Sequence, residues 1–524
     1  MRNHIFGVLL LLLAGCQTTQ ISHQKTEEVP EKTVQAHRPS ADTEVAVSQS
    51  SPAQPVIMQP DLPQDQSDLW QRISMQFSLP IPQNKSVQRY RNWYLKHPQH
   101  LITVAKRATP FLYLITTKIE KRHLPLELAL LPVVESSFDA FAYSHGRAAG
   151  LWQFVPSTGK RYGLQQNFWY DGRRDVNAAT DAALNYLTYL NKKFKGDWFH
   201  AIAAYNSGSG RVDRAIKKNR KKGKPIDFFS LDLPKETSSY VPKLLALVDV
   251  MNNRDKYGLK IPHIENKPFL QLINPKEQLD LAVAAQYADI SVRELQSYNP
   301  AYNQWATAPD GPYKLLLPID KINHFNHSLA QNRGKGIKLI HYKIRSGDTL
   351  NTIARKYKTT SQIIQNVNGL PDNLIRAGQY LMIPTSAKGK ETYVLSLNNR
   401  LKKIQSTPRG QYRLFHTVRS GDSLWSIAKK YKISHTSLAK WNGMSPRDPL
   451  KVGKKLVVWK KSSSGAIIRP LYYKVRSGDT LSGIASKFRI KTSDIIKWND
   501  LTKHKYIHPG RKLKLFVDVT KVST

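Results

Sequence analysis

The feature that most restricts how this chain can fold is a short segment written three times in its last third. Tyr342-Lys343-Ile344-Arg345-Ser346-Gly347-Asp348-Thr349-Leu350 recurs as Thr417-Val418-Arg419-Ser420-Gly421-Asp422-Ser423-Leu424 and as Tyr473-Lys474-Val475-Arg476-Ser477-Gly478-Asp479-Thr480-Leu481. In each copy an Asn follows the Asp by 20 residues, at Asn368, Asn442 and Asn499. A register kept three times marks one small folding unit. Alternating residues ahead of Ser-Gly-Asp suit a strand, and Leu350, Ile353, Ala354 and Tyr357 suit a helix that Asp348 or Thr349 can cap. A second short helix ends near the Asn, and Leu381-Met382-Ile383, Leu456-Val457-Val458 or Leu513-Lys514-Leu515 closes the unit as a strand. The predicted unit is β-α-α-β. Unequal separations of 74 and 57 residues between the copies predict beads on polar linkers rather than a stacked solenoid.

A chain of 524 residues needs more than one core. Residues 1–16 read as a secretory signal: a basic start, an apolar run from Ile5 to Leu13 too short to span a bilayer, then Ala14-Gly15-Cys16. Leu13-Ala14-Gly15-Cys16 resembles the bacterial lipobox, which implies cleavage before Cys16 and its acylation, a membrane attachment worth about 0.8 kcal/mol per buried methylene. An ordinary cleaved signal is the alternative. Gln17 rather than Asp after the cysteine implies, for a Gram-negative source, an outer-membrane lipoprotein facing the periplasm. Cys16 is the only cysteine, so no internal disulfide forms and stability rests on packed cores.

Residues 17–66, rich in Gln, Thr, Ser and Pro, read as a disordered tether. Residues 67–262 carry helical spacing, as in Leu112, Ile115, Ile119, in Leu126, Leu130, Val133, Val134, and in Ala182, Tyr186, Leu187, Leu190. They predict one mainly α domain. Residues 263–330 form a linking segment in which 280–318 has the outline of a degenerate fourth unit, with Asn299 and Gly311 in the corresponding places but no Ser-Gly-Asp. The repeats occupy 341–384, 416–459 and 472–517.

The formal charge of +42 is concentrated late, with 40 Lys and Arg against 9 Asp and Glu from Gln331 onward. Such a field attracts nucleic acid, anionic lipid or an acidic polymer. Export disfavours nucleic acid.

The three repeats resemble LysM domains, βααβ modules that bind N-acetylglucosamine-containing glycans. In that family the sugar lies between the loop after the first strand and the loop before the last. The resemblance therefore implies glycan loops at Gly347, Asp348 and Thr349, at Gly421, Asp422 and Ser423, and at Gly478, Asp479 and Thr480. Each of these residues alone is better explained as a turn or cap, so the loops are a firmer expectation than the single residues. Separate weak sites would act through avidity.

A glycan-binding array raises the question of an acid in the helical domain. Glu135 ends the almost wholly apolar run Leu126 to Val134, surroundings that raise a carboxyl pKa and suit a general acid. A surface Glu at a helix end is the other reading of that pattern. Three further blocks set polar side chains among aromatics, as sugar recognition requires: Gly150-Leu151-Trp152-Gln153-Phe154, Ala204-Tyr205-Asn206-Ser207-Gly208 and Glu236-Thr237-Ser238-Ser239-Tyr240-Val241-Pro242. With Glu135-Ser136 they resemble, in order and spacing, the family 1 lytic transglycosylases.

That resemblance implies a multidomain protein whose mainly α, goose-type lysozyme-like catalytic domain is followed by three small LysM domains. It implies Glu135 as sole acid/base, with Ser136, Gln153, Asn206 and Tyr240 assisting or holding substrate and Tyr205 shaping the groove. Trp152 stands where many relatives carry Met. Ordinary glycosidases use two carboxylates, but the only second acid in these blocks, Glu236, reads as a helix cap. The implied reaction cleaves the MurNAc–GlcNAc bond of peptidoglycan strands without water. A lysozyme-type hydrolase and a non-catalytic wall-binding scaffold are the competing readings. No metal or nucleotide motif is present, so no cofactor is expected.

Overall fold

The computed structural model describes residues 62–410, 412–460, 468–501 and 507–518. The signal segment, Cys16 and the tether up to residue 61 lie outside the described residues. Folding begins slightly before the expected boundary, with a 3-10 turn at Pro63–Asp65 whose flanks are held by Asn266 Nδ2 donating to the Gln64 and Gln66 carbonyls at 3.0 and 2.7 Å.

The first domain is all helical: α1 (Leu69–Ser74), α2 (Lys85–Lys96), α3 (Pro98–Ala108), α4 (Leu112–Glu120), α5 (Leu131–Ser136), α6 (Pro156–Arg161), α7 (Val176–Lys193), α8 (Trp198–Ser207), α9 (Ser209–Lys221) and α10 (Lys235–Asn252). Side-chain caps fix where the central helices start. Asp175 accepts from Ala178 N at 2.8 Å to open α7, and Asp197 accepts from His200 N at 2.9 Å to open α8. The apolar faces read from spacing are the ones that pack: Leu112, Ile115 and Ile119 of α4 and Leu187 and Leu190 of α7 are fully buried. Each contributes about 1.5–3 kcal/mol.

One expected helix is divided. Leu126–Leu130 is a 3-10 turn, and α5 starts afresh at Leu131 because Pro132, in its first turn, has no N–H to donate back to Leu128. The division leaves α5 only six residues long, with Glu135 in its last turn.

Next comes a β-α-α-β unit made of β1 (Leu270–Ile273), α11 (Leu281–Tyr287), α12 (Val292–Tyr298) and β2 (Leu315–Pro318), extended by α13 (Ile322–Gln331). β1 and β2 pair antiparallel, Leu270 opposite Pro318 and Ile273 opposite Leu315. The repeats follow the same order. They comprise β3 (Lys338–Lys343), α14 (Leu350–Tyr357), α15 (Ser361–Asn368) and β4 (Tyr380–Thr385); then, after α16 (Leu397–Ser406), β5 (Tyr412–Thr417), α17 (Leu424–Tyr431), α18 (His435–Trp441) and β6 (Lys455–Lys460); then β7 (Ile468–Lys474), α19 (Leu481–Phe488), α20 (Thr492–Trp498) and β8 (Lys512–Asp518).

The fixed Asp-to-Asn distance has a mechanical cause. Asn442 donates to the Leu438 and Val457 carbonyls at 2.8 Å and accepts from Val457 N at 2.7 Å, so it staples the second helix to the last strand. Asn368 and Asn499 make the same three bonds to Ile364 and Met382 and to Ile495 and Lys514. Asn299 repeats them with Leu295 and Leu316, which gives the 270–318 segment the geometry of the repeats although it lacks their turn.

The linker from 386 to 413 differs from the polar spacer expected. It forms a strap: Tyr393 is buried and donates to Asp280 at 2.8 Å, the Leu397 N–H donates to the Asn303 carbonyl at 2.9 Å, and α16 follows. The short apolar run from Tyr393 to Leu397 lies between polar stretches and has no periodicity that shows where it anchors. Among the described residues no helix is long and apolar enough to cross a membrane.

Candidate active site

Glu135 sits where α5 stops. Ser137 and Phe138 follow in the left-handed region, φ 52° and 57°, and their N–H groups return to the Val133 and Pro132 carbonyls. Two consecutive non-glycine residues in that region cost energy that the surrounding packing must supply. Phe138, fully buried, supplies part of it. The turn sends the chain abruptly away and leaves the Glu135 carboxyl at a half-buried rim.

Tyr240, buried on α10, donates its hydroxyl to Glu135 Oε1 at 2.5 Å. Burial pushes the carboxyl up from the ordinary 4.5 to about 7; the Tyr240 bond works against that rise and the Glu236 charge adds to it. Burial likewise drives the Tyr205 and Tyr240 phenols well above their usual range, so both are neutral donors. The site thus holds one carboxyl that takes and returns a proton near neutrality, beside a hydroxyl that stabilises its ionised form.

The other sequence-predicted residues are brought to the same place, and several brace the site through the backbone. Ser136 Oγ donates to the Pro132 and Leu151 carbonyls, both at 3.0 Å, tying α5 to the 150–154 block. Gln153, at φ 46°, donates to the Gly150 carbonyl at 2.7 Å. Tyr205 donates to the Trp152 carbonyl at 2.8 Å. Trp152 is wholly buried and donates to Thr180 Oγ1 at 3.0 Å, so its ring belongs to the core. Asn206 accepts from Thr237 Oγ1 at 2.9 Å and lies 3.4 Å from Glu236 Oε1. Glu236 is at the start of α10, as expected, but makes no capping bond; its carboxylate faces Asn206 and is near enough to act on Glu135.

Three supports escape sequence reasoning. The first is an aromatic cluster in which Tyr186 stands 5.4 Å from Tyr205 and 5.1 Å from Tyr162, with Phe154 6.2 Å from Tyr205. The second is a buried charged frame. Asp171 accepts from Arg173 and Arg174, and Arg173 Nη1 donates to the Arg147 carbonyl at 2.7 Å, fixing the loop between Glu135 and Gln153. The third is Gly150, at φ 79°: a Cβ there would stand 2.0 Å from the Arg173 carbonyl oxygen. The β-α-α-β unit at 270–318 completes the frame, since Asp171 N donates to the Ala301 carbonyl at 2.9 Å and Asn303 N to the Trp169 carbonyl at 2.8 Å.

In the repeats, Asp348, Asp422 and Asp479 each end a four-residue turn and close it by accepting from the N–H of Arg345, Arg419 and Arg476 at 2.7–2.9 Å. Tyr342, His416 and Tyr473 bind the same carboxylates. Thr349, Ser423 and Thr480 are the helix caps, and Gly347, Gly421 and Gly478 take φ of 80–84°. The two loops expected to hold sugar do face each other in the second repeat. There Asp422, Ser423 and Trp425 meet Arg447, Asp448 and Pro449 across a groove of about 330 Å³. Trp425, 61% exposed, stands where the other copies have Asn351 and Ser482, outside the shared motif by which the repeats are recognised in sequence. Among the described residues no group of three or more His, Cys, Asp or Glu is arranged to hold a metal ion.

Helical domain and repeats both match known families. Residues 113–228 match the transglycosylase SLT domain, 270–334 the LysM-like domain of lytic transglycosylase MltD, and 342–384, 416–459 and 473–516 the LysM domain. The fold and the site thus define a multidomain protein with an SLT-type helical domain followed by LysM modules. Over 97% of its length the chain is 34% identical to membrane-bound lytic murein transglycosylase D of Escherichia coli (strain K12), covering 96% of that protein, and it belongs to that family. It is also 32% identical, over 33% of its length and 24% of the relative, to the autolysin of Enterococcus faecalis. The 70 kDa soluble lytic transglycosylase SLT70 of Escherichia coli aligns over 34% of this chain and 32% of its own, at 18% identity and a TM-score of 0.25.

Proposed function

We propose that the chain is a peptidoglycan lytic transglycosylase in which Glu135 is the single acid and base. The observation that carries this reading is the 2.5 Å bond from Tyr240 to a carboxyl whose pKa is pushed up to about 7. Near neutral pH a large fraction of Glu135 is protonated and can donate to the oxygen joining MurNAc to GlcNAc. The Tyr240 hydroxyl then stabilises the carboxylate left behind. That carboxylate accepts the proton of the MurNAc 6-hydroxyl as its oxygen attacks the anomeric carbon; the glycosidic bond breaks, the GlcNAc oxygen keeps the first proton, and a 1,6-anhydro ring forms. No second carboxylate and no water enter the balance. Glu236 is exposed and bonded to Asn206, which supports a role in holding Asn206 and in raising the Glu135 pKa rather than as a nucleophile. The tyrosine cluster offers ring faces to the apolar faces of sugars.

The LysM modules would bind the same polymer, aided by the excess of cations after Gln331. We assign Cys16 as the lipidated residue and the outer membrane, facing the periplasm, as the site of action; the residue order Leu13-Ala14-Gly15-Cys16-Gln17 supports both. Digestion of purified murein with the wild type and with Glu135→Gln tests the reading. Anhydro-ended fragments from the first and none from the second are expected; solubilisation by both at equal rates would remove Glu135 as the catalytic acid, and solubilisation by neither would leave only a binding scaffold.

A further inference from the structure

The second LysM module is docked, not free. Its loop between α18 and β6 lies against residues 143–147 of the helical domain. Tyr143 donates its hydroxyl to Asp448 at 3.2 Å, Arg147 Nε stands 3.0 Å from Asp448 Oδ1, and Ser445 Oγ donates to the His145 carbonyl. The strap delivers the module to this place. The Arg400 guanidinium on α16 lies 4.6 Å over the Phe141 ring, and Gln405 donates to Asn442 at 2.9 Å.

Asp448 is shared three ways. It closes the module's own turn by accepting from Ser445 N at 2.9 Å, it lines the groove of the second module, and it holds Tyr143 and Arg147. The segment it holds is the connection from Glu135 to Gln153. That segment is a tight loop: Ser144 N bonds the Ala148 carbonyl at 2.9 Å and Gly150 N the Ala142 carbonyl at 3.1 Å. Arg147 is thus clamped from both sides, its carbonyl by Arg173 and its side chain by Asp448.

We propose that Asp448 is a positioning residue for the transglycosylase reaction, acting across the domain boundary by holding the Tyr143–Arg147 loop, so that a GlcNAc-containing glycan in the second module's groove is coupled to the cleft. The inference rests on the activity proposed above. Coupling of this kind is reciprocal: whatever glycan in the groove does to the loop, the loop does to glycan affinity.

A double-mutant cycle on the full-length enzyme tests it, with a soluble glycan fragment as substrate and formation of anhydro ends as the readout. Asp448→Asn alters the module side. Tyr143→Phe with Arg147→Gln alters the catalytic side and leaves the module's turn intact. Each is expected to lower kcat by about fivefold or more with KM little changed, and the combined variant to be no slower than the slower of the two. Wild-type kcat in Asp448→Asn, or losses that multiply in the combined variant, would overturn the coupling. Anhydro-end formation by the wild type reports separately on the proposed activity, so only the ratio of variant to wild type bears on Asp448.

Discussion

Tyr240 and Glu135 lie 105 residues apart in sequence, yet the phenol of the first donates to the carboxyl of the second at 2.5 Å. Burial and this hydrogen bond act on the carboxyl in opposite senses. Burial lifts the Glu135 pKa, the Tyr240 hydroxyl restrains the lift, and the balance is a carboxyl near 7.

Replacing Tyr240 by Phe removes the restraining bond while keeping the ring. The Glu135 pKa should rise, so the descending limb of the rate–pH profile, near 7 in the wild type, should move to higher pH. The maximal rate should fall by about tenfold or more as the carboxylate loses its donor. An unmoved limb in kcat measured across pH would contradict the assignment.

Glu135→Gln should lower the rate by about a thousandfold and should also change stability in a pH-dependent way. Because the folded pKa lies above the ordinary 4.5, the folded state holds the proton more tightly, and wild-type stability falls as pH rises from 4.5 to about 7. The variant has no such proton. Discounted for the half-exposed rim, it should be more stable than wild type by about 1–2 kcal/mol near pH 8, with the gap closing near pH 5. Denaturant melts at the two pH values measure this.

Gly150→Ala would force a Cβ to 2.0 Å from the Arg173 carbonyl oxygen at φ 79°. A loss of about 2–4 kcal/mol in stability is expected, with loss of activity from displacement of the Glu135-to-Gln153 loop. A variant that melts like wild type would mean that the loop is not held as described.

Much of this was legible in sequence because it rests on local rules. The repeats announce themselves through a turn that needs Gly and Asp and an Asn that must reach one strand. Glu135 stands out because an apolar run ends on an acid. What was not legible depends on partners distant in the chain. The charged frame of Asp171, Arg173 and Arg174 reads in sequence as ordinary surface charge. Asp448 in the second module looks like any loop acid. The apolar spacing on either side of Pro132 reads as one helix, although a proline in that place removes the N–H that would continue it.

Asn442→Ala in the second module should unlock the α18-to-β6 connection. Four side-chain bonds are lost, the one from Gln405 among them, and the Leu438 and Val457 groups are left unpaired, at a cost of about 2–4 kcal/mol to that module. Hydrogen exchange followed by mass spectrometry on the full chain should show β6 losing protection while α7 and α10 keep theirs. Equal protection in β6 would mean the Asn is not the staple.

The most direct test of the central claim is the mass of the fragments released from purified murein by the wild-type enzyme. A single carboxyl partnered by Tyr240, with the muramyl 6-hydroxyl as nucleophile, predicts disaccharide–peptide products lighter by one water than those of a lysozyme. Products carrying that water would make the enzyme a hydrolase and contradict the mechanism.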